Sequence, residues 1–100
     1  MTNLKALYVI VNAGFASLVV DLIRECGGSG ATILNARGSY GKSKSILGIT
    51  IDSEKEIVLS ILPKEIADKS VTLIKEKAGV ETNAHGVCYY MPVELSTIKG

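Results

Sequence analysis

The stretch from Ala6 to Cys26 reads ALYVIVNAGFASLVVDLIREC and carries two different apolar periods. Its first six residues, up to Val11, are continuously apolar and rich in β-branched side chains, which is typical of a buried central strand. After a break at Asn12–Gly14, apolar residues recur three or four positions apart, as on one face of a helix. These residues are Phe15, Leu18, Val19, Leu22, Ile23 and Cys26. The stretch therefore predicts a strand followed by an amphipathic helix.

The rest of the chain continues this alternation. Gly27-Gly28 ends the first helix, because glycine readily adopts the left-handed conformation found at helix C-termini. The elements predicted after it are a strand at Thr32–Arg37, a loop at Gly38–Ser45, a hairpin arm at Ile46–Ile51, a strand at Glu56–Leu62, a helix at Lys64–Ala78 and a strand at Val87–Met91. Pro63 and Gly79 mark the ends of that third strand and second helix.

The order of elements predicts one α+β domain over residues 1–100, a ferredoxin-like βαββαβ sandwich. Right-handed crossovers in its two halves place both helices on one face of a four-stranded antiparallel sheet. The strands are apolar on both of their faces, so the sheet face away from the helices needs a cover. We expect a second copy of the chain to provide that cover.

Composition and charge narrow the classes of partner. Eleven Lys and Arg against ten Asp and Glu give a net charge of +1, which predicts no nucleic-acid binding. No apolar run reaches the length of a membrane span, and the N-terminus lacks a secretory pattern, so we expect a cytoplasmic protein without membrane insertion. Cys26 and Cys88 lie far apart and are interpreted as free thiols.

The chain offers little for catalysis or metal binding. Its one histidine, His85, lies three residues before Cys88, and residues three apart in a strand face opposite sides. His85-x-x-Cys88 would supply two metal ligands, and only a symmetric site between subunits would complete a tetrahedron. We therefore expect no enzyme, no metal and no required cofactor.

Two glycine-containing loops suit a ligand better. Gly27–Gly30 follows a helix and so matches neither a dinucleotide fingerprint nor a phosphate-binding P-loop; it forms either a cap and turn or a close approach to a flat ligand. Gly38-x-x-Gly41-Lys42 combines backbone N–H groups with ammonium groups and suits phosphate, unless it is only a solvated hairpin. Arg37, beside this loop, would hold phosphate or a neighbouring subunit's carboxylate.

Three segments resemble the P-II family of nitrogen-regulatory signal proteins. GATILNARG at residues 30–38 is similar to the family's G-x-T-x-x-x-(A/V)-(R/K)-G segment. LGITIDSEKEIVL at residues 47–59 resembles family members with a shortened effector loop, and GVCYYMPVE at residues 86–94 is similar to the family's last strand. Together with the element order, the resemblance covers nearly the whole chain.

The resemblance implies a homotrimer that binds an adenine nucleotide (ATP, ADP or AMP) between subunits. It further implies control of nitrogen or carbon metabolism, or of a transporter, through contacts with a protein target. The residues that correspond to the adenine side are Gly30, Ala31 and Thr32. Those that correspond to the phosphate side are Arg37, Gly38, Gly41 and Lys42, with His85 and Gly86 in a second loop at residues 83–86.

The chain also departs from the family. The effector loop is reduced to about Ser39–Ser45, Tyr40 does not match the modified tyrosine, and Val87 replaces a basic residue. The family's C-terminal arginines have no counterpart up to Gly100. We expect weaker triphosphate binding, since each lost charge-assisted hydrogen bond removes about 1.5–3 kcal/mol.

Two other hypotheses remain open on the residues alone. One is a structural or interaction module whose cleft no longer binds a ligand. The other is an acylphosphatase-like enzyme with Asn35 and Arg37 in the active site, although these strand positions lack the phosphate loop at a helix N-terminus that such chemistry uses.

Overall fold

The protein is described by a computed structural model that covers residues 3–36, 44–46, 49–51 and 54–97. The elements, in chain order, are β1 (Leu4–Asn12), α1 (Ala16–Glu25), β2 (Thr32–Ala36), β3 (Lys44–Ile46), β4 (Ile49–Ile51), β5 (Lys55–Pro63), α2 (Lys64–Ala78) and β6 (Val87–Pro92). The predicted order of strands and helices is confirmed. The loop predicted up to Ser45 is wrong in its last two residues, since Lys44 and Ser45 pair with Ile51 and Thr50 in a β3–β4 ribbon.

The main sheet has four strands in the order β2-β5-β1-β6, and every neighbouring pair is antiparallel. The long strands β1 and β5 therefore form its centre, and β2 and β6 form its two edges. The β3–β4 ribbon is a separate two-stranded sheet. Along the chain it follows β2 and precedes β5, which pair with each other in the main sheet. This is the predicted α+β, ferredoxin-like βαββαβ arrangement.

The core lies between one sheet face and the two helices. Alternate residues of β1, namely Leu7, Val9 and Val11, are completely buried on this face. They form one apolar cluster with side chains from both helices and from the neighbouring strand β5. These side chains include Val19, Leu22, Ile23, Ala67, Ile74, Val58 and Leu62. The apolar residues that recur with the strand period of two and those that recur with the helical period therefore pack into a single core.

The end of α1 is set by its two glycines. Gly27 has a φ of +104°, a backbone conformation that is unfavourable for residues other than glycine. Its N–H donates to the Arg24 carbonyl at 3.0 Å, and the Gly28 N–H donates to the Ile23 carbonyl at 3.0 Å. These two bonds form a Schellman motif, which confirms the predicted stop and sends the chain toward the β2 edge.

The sheet face away from the helices is apolar, as predicted. Tyr8 of β1 and Tyr89 of β6 stack there with their ring centroids 5.6 Å apart. Several aliphatic side chains of this open face are exposed to solvent: Ile61 is 36%, Met91 41% and Leu34 49% accessible. Side chains of this kind leave water when the face is covered by another protein surface.

We expect Ser70→Ala to stabilise the protein. Ser70 of α2 is fully buried and its hydroxyl has no hydrogen-bond partner among the described residues. Alanine removes this unpaired polar group and has a better helix propensity, for a gain of about 1 kcal/mol in unfolding free energy. Urea denaturation measures the change.

Ser60→Ala is the matched control, because the Ser60 hydroxyl donates to the Gly30 carbonyl at 2.6 Å and its removal destabilises by about 1 kcal/mol. Two variants of equal stability would contradict the assignment.

Candidate functional site

The two predicted binding segments lie at opposite edges of the sheet. Gly30, Ala31 and Thr32 lead into the edge strand β2 and are exposed. His85 and Gly86 immediately precede the other edge strand, β6. Since β5 and β1 stand between the two edges, the segments are at least roughly 14 Å apart, three strand spacings. A single chain therefore does not bring its adenine-side and second phosphate-side residues together.

The remaining predicted phosphate residues, Arg37, Gly38, Gly41 and Lys42, lie outside the described residues. Asn35, the other residue considered for an enzymatic site, is exposed on β2 and pairs in register with Glu56.

The loop that joins α2 to β6 is closed by its own hydrogen bonds. Thr82 N–H donates to the Gly79 carbonyl at 3.0 Å, His85 N–H to the Thr82 carbonyl at 3.0 Å, and Gly86 N–H to the Ala78 carbonyl at 2.8 Å. Ala84 is 1% exposed and anchors the loop in the core. These three N–H groups are thus engaged inside the protein and are not free to bind a ligand.

His85 is one of four exposed residues of this loop, with Val80, Glu81 and Asn83. Its backbone has a φ of +48°, an uncommon value for a residue other than glycine. The ring nitrogen Nδ1 lies 3.0 Å from the Val80 carbonyl oxygen. The imidazole is therefore held through Nδ1, while the residue as a whole is exposed.

A shallow hollow of about 260 Å³ lies between α2 and the edge strand β6, next to this loop. Its wall is mostly apolar, with Lys75 as a cationic group. The lining residues are Val71, Lys75, Gly79, Val80, Gly86, Val87 and Cys88. The hollow thus reaches from the loop to the β6 edge.

A second set of contacts, which the sequence patterns did not predict, fixes this loop to the centre of the sheet. Asn12, at the end of β1, donates from its backbone N–H to the Ala84 carbonyl at 2.9 Å and from Nδ2 to the Asn83 carbonyl at 3.0 Å. Its Oδ1 accepts a 2.6 Å hydrogen bond from the Lys55 ammonium group. Lys55 begins β5, so Asn12 connects the candidate ligand loop with the strand that follows the β3–β4 ribbon.

Glu56 is a second residue whose function the sequence did not reveal. Phe15 at the start of α1 provides no side-chain cap, and the first turn has no acidic residue. The Glu56 carboxylate of the neighbouring strand β5 fills that role, accepting from Gly14 N–H at 2.8 Å and Ala16 N–H at 3.1 Å. The N-terminus of α1 therefore already holds an anion, one supplied by the protein itself.

We expect Glu56→Ala to destabilise the protein by about 1–2 kcal/mol, because two N–H groups at the start of α1 lose their acceptor. Glu56→Gln keeps an acceptor oxygen and loses only the favourable interaction of the charge with the helix dipole, so about 0.3–1 kcal/mol is expected. Urea denaturation gives both values. The control is Glu81→Ala in the exposed loop, which should change stability by less than about 0.5 kcal/mol. Equal midpoints for Glu56→Ala and Glu81→Ala would contradict this role for Glu56.

Cys88 is poorly suited to act as a nucleophile. Its side chain packs against the core on the helix-facing side of β6. This burial raises the pKa of the Cys88 thiol to about 12, so the thiol is protonated at neutral pH. Within the described ranges, no group of three or more His, Cys, Asp and Glu side chains is placed to hold a metal ion. Among the described helices, none is long and apolar enough to cross a membrane.

Comparison with known proteins identifies the fold. No protein-family profile matches the chain, and no curated protein matches its sequence. Solved structures do match. A PII-like signalling protein from Thermus thermophilus is 17% identical with a TM-score of 0.70, over 92% of this chain and 87% of its own.

Two further matches were crystallised with nucleotides. The nitrogen regulatory PII-like protein CPII from Thiomonas intermedia, bound to ADP, AMP and bicarbonate, is 17% identical with a TM-score of 0.67, over 96% of each chain. GlnK from B. subtilis, in complex with ATP, is 10% identical with a TM-score of 0.68, over 93% of this chain and 84% of its own.

The βαββαβ sandwich defines the class as ferredoxin-like α+β. Within that class, the chain has the fold of PII-like signalling proteins. The resemblance that three sequence segments suggested is thus confirmed at the level of the fold.

Proposed function

We propose that this chain is a cytoplasmic PII-like regulator rather than an enzyme. It assembles as a homotrimer, binds an adenine nucleotide in the clefts between subunits, and controls nitrogen or carbon metabolism, or a transporter, through contact with a protein target.

The observation that carries the proposal is the division of the predicted site between the two sheet edges. The segment Gly30–Thr32 leads into β2, and His85–Gly86 precedes β6. The two segments form one pocket only when the β2 edge of one copy lies next to the β6 edge of another. A head-to-tail contact of this kind closes into a ring when the rotation between copies is suitable, and a trimer is such a ring.

The open sheet face supports the same assembly. It exposes Ile61, Met91 and Leu34 together with the stacked Tyr8–Tyr89 pair. Each apolar side chain that leaves water on association contributes roughly 25 cal/mol per Å² of buried area. A ring of subunits with these faces turned inward buries this surface and brings the sheet edges together.

The nucleotides in the similar structures support the ligand class. CPII was crystallised with ADP and AMP, and GlnK with ATP. In this chain the described side chains near the second loop include the cation Lys75 and the titratable His85. Because Val87 replaces a basic residue of the family, we expect AMP or ADP to be favoured over a triphosphate.

The test combines a nucleotide panel with a measurement of mass. ATP, ADP, AMP, cyclic nucleotides and 2-oxoglutarate are added in a thermal-shift assay, and light scattering gives the mass of the assembly. A ligand at 100 times its Kd stabilises the folded state by about 2.7 kcal/mol. We expect AMP or ADP to raise Tm and the mass to be three times that of the 10.6 kDa chain.

One observation favours a second candidate, an assembly module without a ligand. The N–H groups of Thr82, His85 and Gly86 are bound inside the loop, whereas a phosphate loop typically offers such groups to its ligand. A trimeric mass with no Tm shift from any compound would support this alternative over the proposed regulator. A monomeric mass would contradict both.

A further inference from the structure

The geometry of His85 suggests how binding at this loop is regulated. His85 is the sole histidine of the chain and the described non-glycine residue with a positive φ, +48°. A conformation of this kind persists where the surroundings fix it. Here the His85 N–H donates to the Thr82 carbonyl at 3.0 Å, and its neighbours Ala84 and Gly86 are buried. The backbone therefore holds the imidazole in one position.

The second contact determines which ring nitrogen carries a proton. A carbonyl oxygen only accepts hydrogen bonds, so the 3.0 Å contact with the Val80 carbonyl requires a proton on Nδ1. That proton is present both in the imidazolium and in the corresponding neutral tautomer. The two charge states then differ only at Nε2, which is a donor when the ring is charged and a lone pair when it is neutral.

This arrangement disfavours one of the two neutral tautomers that an unconstrained histidine adopts. A neutral imidazole in water can move its proton to Nε2 and continue to donate a hydrogen bond there. In this loop the same move would leave the lone pairs of Nδ1 and the Val80 oxygen facing each other at 3.0 Å. Nε2 of His85 is therefore a donor in the charged form and an acceptor in the neutral form.

The surroundings of the loop contain charges of both signs. Lys75 of α2 lines the hollow beside Val80 and Gly86, and Lys55 of β5 reaches the loop through Asn12. Glu76 and Glu81 line a second hollow next to Val80, together with the same Lys75. Lys77 lies in the last turn of α2. Imidazole is the side-chain type that ordinarily changes charge near neutral pH, whereas ammonium and carboxylate groups ordinarily do not.

We propose that His85 is a proton-dependent anion contact of this site. The inference rests on the proposed nucleotide-binding function. In the imidazolium form, Nε2–H donates to a phosphate oxygen of the ligand; in the neutral form, the Nε2 lone pair faces that oxygen and repels it. Affinity for a phosphate-bearing ligand therefore falls as pH rises, and binding near neutral pH takes up a proton.

The experiment is calorimetric titration of the full chain with AMP at pH 5.5 and pH 8, with adenosine as the ligand that lacks the phosphate. We expect AMP to bind roughly tenfold or more weakly at pH 8, the effect of losing one charge-assisted hydrogen bond, and adenosine to bind equally at both pH values. The AMP phosphate itself gains negative charge above pH 6. That change strengthens binding to a cationic site, so the expected loss comes from the protein.

His85→Asn is the matched variant. Asparagine tolerates a positive φ, and its side-chain amide can donate to the Val80 carbonyl, but it does not titrate. We expect the affinity of this variant for AMP not to rise when the pH is lowered from 8 to 5.5, in contrast to that of wild type. Calorimetry in buffers of different ionisation enthalpy measures the number of protons taken up on AMP binding. We expect this number at pH 7 to be larger for wild type than for His85→Asn.

A measurement on the ligand-free protein separates this inference from the proposed function. Nitrogen-15 NMR of the one imidazole should show the neutral ring protonated on Nδ1; a neutral ring protonated on Nε2 overturns the inference. AMP binding that persists with the same pH dependence in wild type and His85→Asn also overturns it, and leaves the nucleotide-binding function intact. No binding of AMP, ADP or ATP at either pH overturns the proposed function and, with it, this inference.

Discussion

Gly86→Ala should lower the unfolding free energy by about 3 kcal/mol, and Tm by at least about 10 °C. A Cβ atom at Gly86 would clash with the Ala78 carbonyl oxygen and would lie 3.2 Å from Val11 Cγ1. The same carbonyl accepts the Gly86 N–H, so any movement that relieves the clash also breaks this hydrogen bond. The loss of this contact should loosen the end of the loop next to β6, while Asn12 still holds Asn83 and Ala84, and we expect the proposed nucleotide binding to fall.

Gly30→Ala is the matched control for this experiment. A Cβ atom there has no heavy atom within 4 Å, so we expect a stability change of less than about 0.5 kcal/mol. Calorimetry or urea denaturation at fixed protein concentration compares the two variants. Similar losses in both would show that glycine is needed for chain flexibility in general, and would contradict the specific role of the Ala78 contact.

Ile61→Lys should convert the proposed trimer to single chains. Ile61 lies on the open sheet face and is 36% exposed, so the isolated chain tolerates a lysine there. In the assembly each copy would bury an unpaired ammonium group, which costs several kcal/mol per subunit. We expect light scattering of this variant to give the mass of one 10.6 kDa chain.

Leu18→Lys provides the comparison. Leu18 of α1 is 37% exposed, almost the same as Ile61, but lies on the helix side of the molecule. This variant should retain the wild-type mass. If both variants kept that mass, the open face would not be the association surface. If both dissociated, a nonspecific effect of added charge would explain the result.

Local patterns predicted the fold because its elements follow from local periods. The apolar run Ala6–Val11 and the helical face Phe15–Cys26 appear in the structure as β1 and α1, and glycine stops α1 where a positive φ is required. The bounds of β1 and β5 extend by one or two residues at each end, since pairing between these strands continues from Leu4–Pro63 to Asn12–Lys55. The strand β3 was likewise not predicted, because it forms only by pairing with β4 and its residues have the polar composition of a loop.

The contacts within the candidate site could not be predicted in this way. Glu56 caps a helix forty residues before it, and Asn12 bonds a loop seventy-one residues after it. No sequence period encodes such pairs, because they depend on which strands become neighbours in the sheet. Asn12 was recognised only as the end of a strand, and Glu56 only as a strand residue. The orientation of the His85 ring likewise requires the position of the Val80 carbonyl.

The position of the two binding segments on opposite edges has a genetic consequence. In the proposed assembly, each cleft would take its β2 side from one polypeptide and its 79–86 loop from the next. Two inactive chains, one altered at Thr32 and the other at His85, should therefore restore a fraction of intact clefts when they are co-expressed and assemble together. Neither chain alone should do so, and a heterozygous cell would recover part of a function that both of its alleles have lost.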